Sequence, residues 1–245
     1  MAKGASIKFR SYKESVPKLL SLLKLQNEIK KYDKIILKPH ISSESSTPAE
    51  FAEVVLRFCL ENKNPVADVL IAEGSENSNT MELLESLGYQ KLAERYGIGL
   101  IDLNNSEIVE VESEKFIKFS TIKFPQILEN SFLISIPKLS ENEETDIVGS
   151  LSTMLGAFPS AHYSGFFSQS KSKIRKWPVK YSIHDIIMCK TPDFSIIDAS
   201  EQGMILAGLP LEIDKQSAKL LGKDWQEVPH LKLLDETSHH NSKLY

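Results

Sequence analysis

Only two cysteines, Cys59 and Cys189, occur in 245 residues, and both lie in apolar surroundings. Two isolated thiols cannot by themselves build a zinc ribbon or an iron–sulfur site, so they read as structural. No apolar run approaches the roughly 20 residues that span a bilayer. Residues 1–18 also lack an apolar secretory core. A cytoplasmic setting without a membrane partner is therefore expected by elimination. The formal net charge of −4 leaves no excess of cations to coat phosphates, so nucleic acid is not expected as a partner. Walker and dinucleotide fingerprints are missing, as is a Gly-x-Ser-x-Gly elbow. The histidines His40, His162 and His184 are scattered, His239 and His240 fall near the end, and none forms an i, i+4 pair with a carboxylate partner. No metal site is expected. The one assembly left open joins His40, Glu73 and His162.

What is present is an alternation. With 41% hydrophobic and 25% charged residues the chain has the composition of a folded protein rather than a disordered one. Val16, Leu19, Leu20 and Leu23 recur at helical spacing, and residues 34–37 then read as a buried strand. Thr47-Pro48-Ala49-Glu50 looks like a helix start, with Thr47 as N-cap. Strands over 66–72 and 98–101 alternate with helices over 81–87 and 91–96. That order predicts an α/β fold, a mostly parallel sheet covered by helices. Residues 107–119 alternate with period two and predict an antiparallel extension. Further strands are expected over 132–136 and 194–197, and helices over 146–155 and 181–189. No linker forces a cut, so 1–236 is read as one domain and 237–245 as a frayed polar tail.

In parallel sheets, loops and helix starts converge at the carboxyl ends of the strands, which makes those ends the informative positions. Here they carry Lys38, His40, Glu73, Asp102, Lys138 and Asp198. Each has a plainer role: lysines that snorkel, carboxylates that cap helices, an aspartate that forms a turn. Their recurrence is what suggests a site. Two serine-rich loops, 42–47 and 75–80, precede helices whose free backbone donors suit an anion. Capping alone also explains them. Further on, Lys171, Lys173, Arg175, Lys176 and Lys180 surround Trp177-Pro178. Such crowding of cations predicts either a solvated loop or one that closes on an anion or nucleic acid, with an exposed indole as a contact point.

The ordered motifs Ile-Ile-Leu-Lys-Pro-His (35–40), Ala-Glu-Gly-Ser (72–75), Leu-Ile-Asp-Leu-Asn (100–104), Ile-Ser-Ile-Pro-Lys (134–138), Met-Leu-Gly-Ala-Phe-Pro (154–159) and Ile-Ile-Asp-Ala-Ser-Glu-Gln-Gly-Met (196–204) resemble an uncharacterised family called domain of unknown function 362. The resemblance implies an α/β fold and a site drawn from Lys38, Pro39, Glu73, Asp102, Pro137, Lys138, Gly156, Asp198 and Gly203. The family is itself distantly similar to the catalytic domain of lactate racemases, from which no residue carries over. This chain has Ser152-Thr153 where the family typically shows Lys-Asn. It has Ser140-Glu141-Asn142 where a histidine is common, and it lacks the cysteine-rich ferredoxin-like segment of many relatives. No iron–sulfur cluster is expected, and no cofactor is implied. Two functions stand open: binding of a small carboxylate or phosphate at the strand ends, by an enzyme, a degenerate enzyme or a non-catalytic binding domain, and an interaction protein gripping an acidic or nucleic-acid partner through 171–180. Neither residues nor resemblance fix an oligomeric state.

Overall fold

The computed structural model describes residues 4–165 and 170–241. Its first half comprises β1 (Gly4–Lys8), α1 (Tyr12–Leu22), α2 (Leu25–Ile29), β2 (Lys34–Pro39), α3 (Ala49–Asn62), β3 (Asp68–Glu73), α4 (Thr80–Ser86), α5 (Tyr89–Tyr96) and β4 (Gly99–Asp102). Then follow β5 (Ile108–Glu112), β6 (Thr121–Pro125), β7 (Phe132–Ile136), β8 (Ser140–Asn142), β9 (Asp146–Val148), a 3-10 helix Ser152–Ala157 and α6 (Ser160–Tyr163). The chain continues through a second 3-10 helix Ser172–Arg175, α7 (Lys180–Cys189), β10 (Phe194–Ala199), β11 (Met204–Gly208), α8 (Pro210–Leu220) and α9 (Pro229–Asn241).

Seven strands form the main sheet in the order β1-β11-β10-β7-β2-β3-β4. From β10 to β4 all neighbours are parallel, while β11 runs antiparallel to both β10 and β1. The apolar strands bury side chains on both faces, as parallel strands under two helical layers must. Ile35, Leu37, Ile71, Phe132 and Ile134 pack against Val16, Leu19, Phe51, Val55 and Tyr89 of α1, α3 and α5. On the other face Ile36 and Leu133 meet Ile183 and Ile186 of α7 and Leu231 and Leu234 of α9. The α/β expectation holds.

From β2 the chain winds outward to β3 and β4, whereas from β7 it winds the other way to β10. The winding therefore reverses between β2 and β7. At such a reversal neighbouring connections leave on opposite faces and open a crevice.

Several local expectations need correction. Thr47 does not cap α3: its N-cap is Pro48, without a side-chain bond, and the Thr47 hydroxyl donates to Ile136 O and accepts from His40 N. Residues 146–155 are not a helix. Asp146 begins β9, and Ser152 begins a 3-10 helix. The antiparallel extension is a separate two-stranded sheet, β5 with β6, so the second strand lies beyond 119. The alternating Lys115–Phe119 stretch is held instead by Asp185 of α7, which accepts bonds from the amides of Ile117, Lys118 and Phe119 at 2.8, 2.8 and 3.1 Å. The edge strand β1 and its neighbour β11 are not expected from the sequence because Gly4, Gly208 and short alternation hide them. Residues 237–241, expected in the tail, continue α9, and 242–245 lie outside the described residues.

Replacing Asp185 with Ala leaves three part-buried amides without their acceptor. The expected cost is about 3 kcal/mol, read as a lower urea midpoint at unchanged m-value.

Candidate functional site at the winding reversal

Lys38, next to last in β2, faces Ser135 of β7 in register, and Glu73 ends β3. Both are almost fully buried. An ion taken from water must regain its hydrogen bonds, so the two side chains meet: Lys38 Nζ donates to Glu73 Oε2 at 2.6 Å and to Thr153 O at 2.6 Å. Burial pushes the Glu73 carboxyl above its ordinary range, against the pull of Lys38 and Lys171.

The 3-10 helix Ser152–Ala157 crosses directly over this pair, and Gly156 is what permits the approach. A Cβ there would collide with Glu73 Oε1 and stand 3.0 Å from Lys38 Nζ. Gly74 faces the same helix, and a Cβ on it would fall 2.5 Å from Gly156 O. A third segment closes the arrangement. Lys171, fully buried, donates to Gly74 O and Gly156 O at 3.0 Å each. Burial pulls its ammonium down to about 8.

Above this base lies a cavity of about 210 Å³, bounded by His40, the serine loops at 42–43 and 75–78, the turn at Asn142–Thr145, Thr153 and Arg175. The first loop is wound on itself, Ser42 accepting from the amide of Ser45 and donating to its carbonyl. Ser140 of β8 donates to Ser45 across the crevice. Burial first, then the Lys38 charge, depress the His40 imidazole to about 4, so it is neutral at pH 7. Arg175 Nη2 donates to both Glu76 and Glu144, the latter at 2.7 Å, and its Nε forms an ion pair with the second Glu144 oxygen at 2.7 Å, so that Glu144 meets the Nε–Nη2 edge as a fork. Burial raises the Glu76 carboxyl, but Arg175 and Lys171 outweigh it and hold it below its usual range.

The six strand-end residues therefore share one edge of the sheet but not one pocket. Lys38, Glu73 and His40 come together. Asp102 lies in a neighbouring polar cavity of about 340 Å³, where it accepts from Asn104 N and Asn105 Nδ2. Lys138 and Asp198 form a third group: Asp198 accepts from the Tyr12 hydroxyl at 2.8 Å, and Lys138 pairs with Glu201 at 2.7 Å. The basic segment is also corrected. Lys171 and Arg175 are built into the site, leaving Lys173, Lys176 and Lys180 as its outward cations, and Trp177 is half-buried, bonding Ser182 through Nε1. Among the described residues no three His, Cys, Asp or Glu side chains are grouped to hold a metal, and the side chains of His239 and His240 lie outside those described. Sequence reasoning missed Glu76, Glu144 and the Thr153 carbonyl. Only the glycine at 156 hinted at a close approach.

The family model described as domain of unknown function (DUF362) matches residues 35–206. The chain belongs to that family. The match runs from within β2 to within β11 and contains every residue of this DUF362 site. In fold, the protein is similar to the lactate racemase apoprotein from Thermoanaerobacterium thermosaccharolyticum, with a TM-score of 0.53 and 12% identity over 83% of this chain and 51% of that one. It is also similar to a Thermotoga maritima protein solved by the Northeast Structural Genomics Consortium, with a TM-score of 0.51 and 13% identity over 86% and 59%. The DUF362 chain thus spans about half of the racemase, and at these identities the likeness is one of fold. No curated protein matches it in sequence. No helix among the described residues is long and apolar enough to cross a membrane.

Gly156→Ala is expected to lower stability by about 1–3 kcal/mol in urea titration, as overpacking does, because the new methyl must displace the Glu73 carboxylate. For His40 the folded value, about 4, lies below the unfolded 6.5, so the unfolded chain takes up the proton first. Wild-type stability relative to His40→Gln should fall as pH drops from about 6.5 to 4 and level off below. Urea midpoints at pH 7, 5.5 and 4 read the difference.

Proposed function

We propose that the protein binds a small anion, a carboxylate or a phosphate, in the cavity at the winding reversal, with Arg175 as its anchoring cation. The observation that carries this reading is the Arg175 fork. Arg175 and Glu144 both line the cavity, and the Nε–Nη2 edge, which can match a planar oxyanion at two points, is occupied by Glu144, a half-exposed carboxylate on a hairpin turn. Lys38 and Lys171 lie too deep to touch a ligand, yet their charges act through a low-dielectric wall and offset Glu73 and Glu76. The cations Lys38, Lys171 and Arg175 face the carboxylates Glu73, Glu76 and Glu144, and Glu44 also lines the cavity wall. Moving Glu144 away removes that excess of negative charge and frees an edge of the Arg175 guanidinium.

Neutral His40 and the hydroxyls of Ser43, Ser75 and Ser78 can orient the ligand's remaining polar groups. The cavity holds about seven waters' worth of liquid volume, which suits a small metabolite rather than a polymer. Because Lys38 and Glu73 face each other rather than the cavity, the geometry favours binding over acid–base chemistry by that pair. The two unpaired thiols fit the cytoplasmic setting that completes this reading.

Thermal unfolding with and without millimolar acetate, lactate or phosphate tests it. At least one of these anions should raise the wild-type Tm, since a ligand selective for the native state must stabilise it. Arg175→Met should abolish that shift while remaining folded by circular dichroism. A shift that survives in Arg175→Met removes Arg175 from the site, and no shift with any anion removes the proposal.

A further inference from the structure

The Arg175–Glu144 pair has a second cavity behind it. Arg175, Glu144 and Thr145 border the polar cavity on one side and, on the other, a space of about 440 Å³ lined by Trp177, Pro178, Val179, Tyr181, Pro229 and His230. The two differ in chemistry. The first is walled by hydroxyls and carboxylates, the second by two aromatic rings, two prolines and a valine. His230 is 1% exposed, and its Nε2 has no hydrogen-bond partner among the described residues. Lys118 and Lys180 stand 5.0 and 5.1 Å from the Tyr181 ring centre, adding positive charge at that wall.

The partition between the cavities is a turn rather than a packed element. Asn142 Oδ1 accepts from the amides of Glu144 and Thr145, a local Asx-type turn that presents Glu144 toward Arg175. The turn closes through Asp146 at φ 63°. Glu144 reaches Arg175 from its own small hairpin, β8 with β9, so its carboxylate can leave without unmaking the main sheet.

Resting on the anion-binding reading, we infer that the ligand is a ring-bearing oxyanion, an aryl-substituted carboxylate or phosphate ester. Its acid replaces the Glu144 carboxylate on the Arg175 fork, and its ring enters the Trp177–Tyr181 cavity. Glu144 is thus a resident stand-in for the ligand's own acid, and it keeps the fork paired when the site is empty. An aliphatic acid of the same charge fills only the polar side. Ring burial beside two aromatics should separate the two kinds of ligand by about tenfold or more in affinity.

Isothermal titration calorimetry with acetate, phenylacetate and phenyl phosphate tests the assignment. Phenylacetate or phenyl phosphate is expected to bind at least about tenfold tighter than acetate, the better of the two identifying the acid. Tyr181→Ala, and independently Trp177→Ala, should bring the aryl ligands down toward acetate while leaving acetate itself unchanged. Two variants keep the test sound if one fails to fold. Glu144→Gln should tighten all three ligands severalfold, because the fork no longer has a charged competitor. Equal affinity for acetate and phenylacetate overturns the ring assignment and leaves anion binding standing. Weaker binding in Glu144→Gln overturns the stand-in role. No binding of any of the three overturns this inference together with the function it rests on.

Discussion

The buried Lys38–Glu73 pair is the constraint on which the rest of the site depends. Removing one member of such a pair strands a charge out of water, at a typical cost of about 3–5 kcal/mol, so every neighbouring segment is arranged to keep both members satisfied. Thr153 supplies a carbonyl, Gly156 clears space for the carboxylate, and Lys171 ties the carbonyls of Gly74 and Gly156 together from a third direction. The crossing segment is also fixed at its near end. Asp214 of α8 accepts from the amides of Ser150 and Leu151 at 2.8 Å, and Gly149 is needed there because a Cβ would lie 2.7 Å from the Asp214 carboxyl carbon. Burial pushes that carboxyl to about 7. A carboxylate from one helix and an ammonium from one strand thereby pin the same short stretch over the winding reversal.

That arrangement separates two tasks that a surface site would combine. The deep ammonium groups set the potential and hold the backbone, and they are closed to solvent. In the anion-binding reading proposed above, recognition falls to Arg175, which stands at the wall and whose two carboxylate partners differ in kind. Glu76 comes from the loop after β3 and is held below its ordinary range by two cations. Glu144 rides a hairpin turn and is more exposed. Of the two, Glu144 is the one that the proposed ligand would replace.

Much of this fold was legible because its signals are local. Buried runs such as Lys-Ile-Ile-Leu-Lys-Pro, glycines at 88 and 97 in the left-handed region, and the amphipathic spacing of α3 and α7 declare strands and helices by chemistry alone. The errors share a cause as well. Residues 115–119 alternate like a strand, yet Asp185, some 70 positions later, claims their amides. Residues 146–155 show helical spacing, but Asp214 and Lys38 draw their backbone into a 3-10 path. Lys171 and Arg175 look like members of a solvated basic loop until Gly74 and Glu76 of one loop, Glu144 of another and Gly156 of the 3-10 helix meet them. Long-range hydrogen bonds override local pattern, and one sequence contains no record of them.

The strand-end rule was right about the edge and too generous about the pocket, and the reason is topological. Polar residues end β10, β7, β2, β3 and β4 alike, since any parallel strand leaving the core must meet water or a partner. At β10 the antiparallel return of β11 and the ring of Tyr12 fill the space, and Asp198 and Lys138 find partners in Tyr12 and Glu201. Between β2 and β7 the connections diverge to opposite faces, so only the Ser152–Ala157 segment crosses the gap, and the loops line the cavity left above it. Charge at a strand end is thus common to the architecture. Charge beside an unfilled reversal is specific to one place in it, and Arg175 stands at that place.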